Sequence, residues 1–176
     1  MKQLDLFQGA GSIPASSKFV SSYRIALVRD RPLPFGQPTL NNSQDAQAIV
    51  KTLIEKMGQS DREQLVVILL NAKNEVVGVN LVSTGGISSA PVCPREVLKP
   101  AILVNASAII IAHNHPSGHV EPSADDHHLT EKIIQASTLI GFTVHEHIIV
   151  SMHDERYFSF ADNGIIRGIY DTLRDR

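Results

Sequence analysis

His113-Asn114-His115-Pro116 ends an apolar run, Ala108-Ile109-Ile110-Ile111-Ala112. A loop follows, Ser117-Gly118-His119-Val120-Glu121-Pro122, and then Ser123-Ala124-Asp125-Asp126 opens a helical pattern. A short apolar run between polar segments suits a buried strand. In extended chain, His113 and His115 stand two apart and point the same way. Asp126 comes back at the start of the helix. Two imidazoles and one carboxylate give three protein ligands, the number in a catalytic zinc site whose fourth position is open to water. The plainer alternatives are polar residues capping a buried strand and a Ser-x-x-Asp capping box, although Glu or Gln is usual at its far end. The two views of Ser123 and Asp126 are compatible, because a capping box fixes the helix start and so aims Asp126.

Other residues of the same types carry weaker signals. His145-Glu146-His147 is a second His-x-His, but it lacks a spaced third ligand and reads as a strand face. Asp125 lies about 100° around the helix from Asp126 and faces elsewhere. His127 and His128 belong on the solvated side of that helix. His119 lies in the loop beside the site, within reach of a substrate, and His153 reads as a turn residue. Cys93, beside Pro94, has no dedicated His partner in sequence and reads as structural or incidental.

The spacing of the first group, with ten residues between His115 and Asp126, resembles the JAMM motif of MPN-domain metalloproteases. The wording His-Asn-His-Pro-Ser-Gly is more similar to the RadC-like bacterial branch. The similarity covers about residues 42–164. It implies a hydrolase with zinc held by His113, His115 and Asp126, with Ser123 donating to the developing oxyanion. It also implies a general base, a Glu far upstream near the start of a strand. Glu63 stands two residues before the long apolar run Leu65–Leu70 begins and fits that place. Glu96, on the helix before the motif strand, is the rival. Glu63 is otherwise a solvated strand-end charge, and Glu96 a carboxylate favoured by a helix start. Asn114 stands where the proteases mostly carry Ser or Thr. In an extended chain it points away from the metal, which leaves the ligands intact and weakens any transfer of protease specificity.

These residues need a scaffold, and the rest of the chain supplies the pattern for one. Residues 1–22 read as a weakly ordered arm and Tyr23–Val28 as an edge strand. Residues 30–38, with three prolines, read as a loop. Ser43 is the expected N-cap of a helix carrying Ala46, Ile49, Val50, Leu53, Ile54 and Met57 on one stripe, stopped at Gly58. Leu65–Leu70 suits a central strand covered on both faces, and Val76–Val82 pairs back on it as a hairpin. Thr84–Pro91 is a Gly/Ser loop. Pro94 starts a helix with Val97, Leu98, Ala101 and Ile102 on one face, and Pro100 is expected to bend it. Ser123–Ile140 is a helix with Leu129, Ile133, Ala136 and Ile140 on one stripe, ended by Gly141. Phe142–Val150 and Tyr157–Phe160 form a closing strand pair, and a short helix follows Gly164. The expected architecture is α/β, a mixed sheet sandwiched between helices. The resemblance implies the same MPN-like, deaminase-like three layers, with a lead-in over residues 1–41 and the domain over 42–176.

The chain has 176 residues, 43% apolar and 19% charged, an ordinary globular balance that one domain can satisfy. A net charge of -2 gives no global case for binding nucleic acid. The RadC-like branch carries a DNA-repair label, so a DNA-processing protein or nuclease is the first alternative to a metallopeptidase. Longer relatives carry a helix-hairpin-helix region that has no counterpart here. A non-catalytic MPN scaffold is the second alternative, opposed by the intact ligand set. No apolar run approaches a membrane span, and no signal peptide is visible. The single cysteine fits a reducing cytoplasm. The expected partner is a peptide or protein substrate, isopeptides included, with nucleic acid and self-association left open.

Overall fold

The computed structural model describes residues 39–57, 59–85 and 92–175. The expected arm, the Tyr23–Val28 strand, the Gly58 stop and most of the Thr84–Pro91 loop lie outside the described residues. The element order is α1 (Ser43–Met57), β1 (Gln64–Leu70), β2 (Val76–Thr84), α2 (Pro94–Leu103), β3 (Ala108–His115), α3 (Ala124–Ile140), β4 (Thr143–Ser151), β5 (Tyr157–Ser159) and α4 (Ile165–Arg174). The five strands form one sheet in the order β2-β1-β3-β4-β5. Only β3 and β4 are parallel; the other three pairs are antiparallel. The parallel pair needs a crossover, and α3 provides it.

Side chains alternate between faces along each strand, and each face meets its own helices. On one face Leu65, Val67 and Leu69 of β1 join Ile109 and Ile111 of β3. They pack against Val97, Leu98 and Ala101 of α2, Leu129, Ile133 and Ile134 of α3 and Ile166 of α4. On the other, Val66, Ile68, Ile110 and Ala112 pack against Ala46, Val50, Leu53 and Ile54 of α1. This is a three-layer α/β sandwich, with α1 on one side and α2, α3 and α4 on the other. Every residue of β1 is buried, as an unbroken apolar run covered on both faces requires.

The local details differ from the sequence reading at three points. Asn42, not Ser43, caps α1: its Oδ1 accepts from Asp45 N at 2.8 Å. The Ser43 hydroxyl instead donates to Asp162. Ile102 and Ile140, each in the last turn of its helix, are half-exposed. Among the described residues no helix is long and apolar enough to cross a membrane.

Strand β4 carries an irregularity that matters for the site. Ile109 pairs with Val144 while Ile110 pairs with Glu146, so His145 is an extra residue, a β-bulge. Val144 packs on the α2/α3 face. Past the bulge the odd-numbered residues take over that face, so His147 and Ile149 point where Val144 does.

Candidate metal centre

The site forms at the end of β3, where alternation puts Ile109, Ile111, His113 and His115 on the α3 side of the sheet. Antiparallel pairing sets Leu65 opposite His113. Glu63, two residues earlier, therefore reaches the level of His115. Ligand-type atoms of Glu63, His113 and His115 all lie within 4.8 Å of one another. The N-terminus of α3 brings in the fourth group. Asp126 Oδ1 is 3.2 Å from His113 Nε2 and Asp126 Oδ2 is 3.9 Å from His115 Nε2. The two imidazole Nε2 atoms are 3.0 Å apart. Glu96 is elsewhere, exposed on α2 and paired with Lys99 at 3.1 Å and Arg95 at 3.5 Å. The Lys99 hydrogen bond holds its carboxyl below the usual range.

Asp126 is aimed by a complete capping box. The Ser123 hydroxyl accepts from Asp126 N at 3.2 Å and donates to Asp126 Oδ2 at 2.6 Å, while Ser123 N donates to the same oxygen at 2.7 Å. These bonds leave Oδ1 facing His113. His115 is fixed by its loop: Nδ1 donates to the His119 carbonyl at 2.7 Å. A carbonyl can only accept, so the proton of the neutral ring is on Nδ1 and Nε2 presents a lone pair. Gly118, at φ +77°, lets this loop turn tightly; a Cβ there would stand 2.8 Å from His153 Cδ2. His153 Nε2 donates to the Pro116 carbonyl at 2.9 Å and holds the loop down.

The donor set fits a metal ion. Two ligands about 2.0–2.1 Å from zinc, at a tetrahedral angle, stand about 3.3 Å apart. The observed spacings of 3.0, 3.2 and 3.9 Å bracket that value.

The roles of two buried residues behind the site, His147 and Asn114, escaped the sequence reading. His113 Nδ1 lies 3.0 Å from His147 Nε2, and His147 Nδ1 lies 2.6 Å from Thr130 Oγ1. His145 and His147 do not share a strand face: His147 is fully buried, whereas His145 is exposed and bonds Asn74 at 3.2 Å. The ring of His147 stacks on Phe160, 4.6 Å between centroids. The visible signal was a histidine directly before the apolar run Ile148-Ile149-Val150. The second residue is Asn114. It points to the opposite side of β3, as expected, but it is not idle there. Its Oδ1 accepts from Gln64 N at 2.9 Å, and its Nδ2 donates to the carbonyls of Arg62 at 3.0 Å and Ser60 at 3.3 Å. Asn114 thus clamps the backbone on both sides of Glu63.

Burial pushes His113 down to about 4; the Asp126 charge offsets part of that shift, and His115 adds to it. Burial, with smaller contributions from His113, His127 and His115, also holds His147 well below its ordinary value. Both rings are neutral at neutral pH, the form a metal ligand needs. In the metal-free protein the unfolded chain binds more protons than the folded one between about pH 6.5 and about 4. Stability is therefore full above that window and is expected to fall through it, on the order of 3 kcal/mol from His113 alone. Urea midpoints measured with chelator across this range check it; a flat profile would be inconsistent with neutral buried rings.

Comparison with known proteins finds relatives over most of the chain. A UPF0758 protein of Rubrobacter xylanophilus is 42% identical over 131 residues, covering 74% of this chain and 55% of that protein. A UPF0758 protein of Porphyromonas gingivalis is 35% identical over 161 residues, covering 91% of this chain and 68% of that protein. UPF0758 protein YeeS of Escherichia coli K12 is 41% identical over 114 residues, covering 65% and 76%. The chain spans about half the length of several of the curated relatives it matches. The model of the RadC-like JAB domain matches residues 41–165, which include all of the residues just described. The chain therefore belongs to the RadC-like JAB domain family, within the JAB/MPN (JAMM) superfamily.

Proposed function

We propose that this domain is a zinc-dependent hydrolase that cleaves a peptide or isopeptide bond. The observation that carries the reading is the convergence of a carboxylate, Glu63, with the ring nitrogens of His113 and His115, beside Asp126. In this reading His113, His115 and Asp126 hold the ion, which when bound supplies Lewis acidity to activate a water and polarise the scissile carbonyl. Glu63 takes a proton onto its carboxylate and returns it to the leaving amine nitrogen. Asn114 keeps that carboxylate in place through the backbone of residues 62 and 64. Ser123 donates a hydrogen bond to the developing oxyanion, for which its hydroxyl turns away from Asp126 Oδ2.

The test is an unbiased screen of peptide and isopeptide libraries, with duplex and single-stranded DNA as parallel arms. Chelator-sensitive cleavage of an amide supports the reading. Chelator-sensitive cleavage of DNA, or DNA affinity that falls steeply with salt, would replace it with a DNA-processing role. Ser123→Ala separates the two duties of that residue. An oxyanion donor predicts turnover lower by on the order of 10²-fold or more with metal retained. A cap alone predicts a loss of about 1 kcal/mol in stability with turnover per folded molecule unchanged.

A further inference from the structure

We propose that Thr130 and His147 are positioning residues, a buried proton relay that fixes which nitrogen of His113 is left bare to receive a metal. The inference rests on the metal-centre reading given above. Thr130 Oγ1 lies 2.6 Å from the backbone carbonyl of Asp126, one helical turn earlier, and 2.6 Å from His147 Nδ1. The carbonyl can only accept, so the hydroxyl proton points at it. Toward His147 the hydroxyl oxygen can then only accept, which puts the proton of that ring on Nδ1. Its Nε2 is left bare, 3.0 Å from His113 Nδ1, so His113 must donate there. The outcome is an unprotonated His113 Nε2, facing Asp126 Oδ1 and His115 Nε2.

Both rings and the threonine are fully buried, so no bulk water competes for these protons. The relay also closes on itself. It begins at the backbone of Asp126 and ends at the ring that the Asp126 carboxylate faces. One residue of α3 is therefore tied to β3 twice, directly and through β4. Each link has a fixed direction only because the last acceptor is a carbonyl. If the hydroxyl is removed, the direction reverses. A buried His147 Nδ1–H without an acceptor is costly, so the His147 proton moves to Nε2. It then points at His113 Nδ1 and forces the His113 proton onto Nε2, where it blocks the ligand position.

The experiment uses the whole chain, labelled with ¹⁵N, and reads imidazole nitrogen shifts at neutral to alkaline pH with and without zinc. Metal-free wild type is expected to carry the His113 proton on Nδ1. Thr130→Val keeps the side-chain shape, moves that proton to Nε2 and lowers zinc affinity by about 10- to 100-fold. Thr130→Ser restores both, which a purely packing role would not. His113 protonated on Nε2 in the wild type would overturn the relay, and so would a Thr130→Val chain with unchanged tautomer and affinity. The wild-type spectrum decides even if the valine variant does not fold. If wild type shows the expected tautomer but takes up no zinc, the relay stands and the metal reading falls.

Discussion

Purified protein is expected to hold about one zinc per chain, and His113→Ala, His115→Ala and Asp126→Ala are each expected to lower that occupancy sharply. Three converging ligands make a closed set with one open position, and removing any one leaves a two-ligand site. The three variants should differ in what else they lose. His113 is fully buried and bonded to His147. Its replacement leaves a cavity and an orphaned ring nitrogen, costing on the order of 2–3 kcal/mol even in metal-free protein. His115 lies at the strand end with 19% of its side chain exposed, so its replacement should cost the apo fold little. Asp126→Ala also removes half of the capping box at the start of α3, a loss of about 1 kcal/mol. Elemental analysis paired with chelator-treated melting curves separates the two effects. Full occupancy in all three variants would move the metal elsewhere. His145 and His147 could not serve jointly as the replacement pair, because the bulge turns them to opposite faces of the sheet.

Glu63→Gln is expected to keep its metal and lose nearly all hydrolysis, a drop of about 10²- to 10⁴-fold for a missing general base. The amide keeps the size of the side chain but cannot take a proton. Glu96→Gln should match the parent in both metal content and turnover, since its carboxylate is exposed and occupied with Lys99 and Arg95. The placement follows from register. Antiparallel pairing of Leu65 with His113 brings the residue two before Leu65 alongside the residue two after His113. Asn114 and the Gly85 N–H, which donates to the Glu63 carbonyl at 2.9 Å, hold that backbone. A Glu63→Gln chain with parental turnover would remove Glu63 from the mechanism. The measurement needs the substrate that the library screen supplies.

How far the sequence could be read depended on whether local periodicity or long-range geometry set each feature. Strands β1 and β3 are short apolar runs with clear ends, and α3 has a cap, a stripe and a terminal glycine, so these were legible. The meeting of His113, His115 and Asp126 was legible because two close positions share a strand face and the third opens the next helix. Glu63 was placed only by the family resemblance, as a Glu at the start of a strand, and the pairing of β1 with β3 supplies the register that brings it to the site. His147 was not legible. Strict alternation assigns His145 and His147 to one face, and nothing in the residue types announces that an extra residue breaks the alternation. Asn114 was seen to point away from the metal, but its three backbone partners lie 50 to 54 residues earlier, beyond the reach of any local pattern. Asn42 and Ser43 are both good caps, and only the tertiary hydrogen bond from Ser43 to Asp162 decides between them.

The bulge in β4 makes the length of that strand a chemical variable. His145 is exposed, and its ring makes one surface contact to Asn74, so many residues would serve there. Deleting the position would close the bulge and straighten the strand: Val144 would run directly into Glu146, which already pairs with Ile110, and the side chains from Glu146 to Ser151 would keep their present faces. Glu146 would stay with the Ser159 hydroxyl and the amides of His147 and Ala161. The regular ladder beyond the bulge has no such slack. One residue inserted between Glu146 and His147 would turn every side chain from His147 to Ser151 to the other face and leave His113 Nδ1 without its partner. The strand thus forgives a residue lost before Glu146 and not one gained after it.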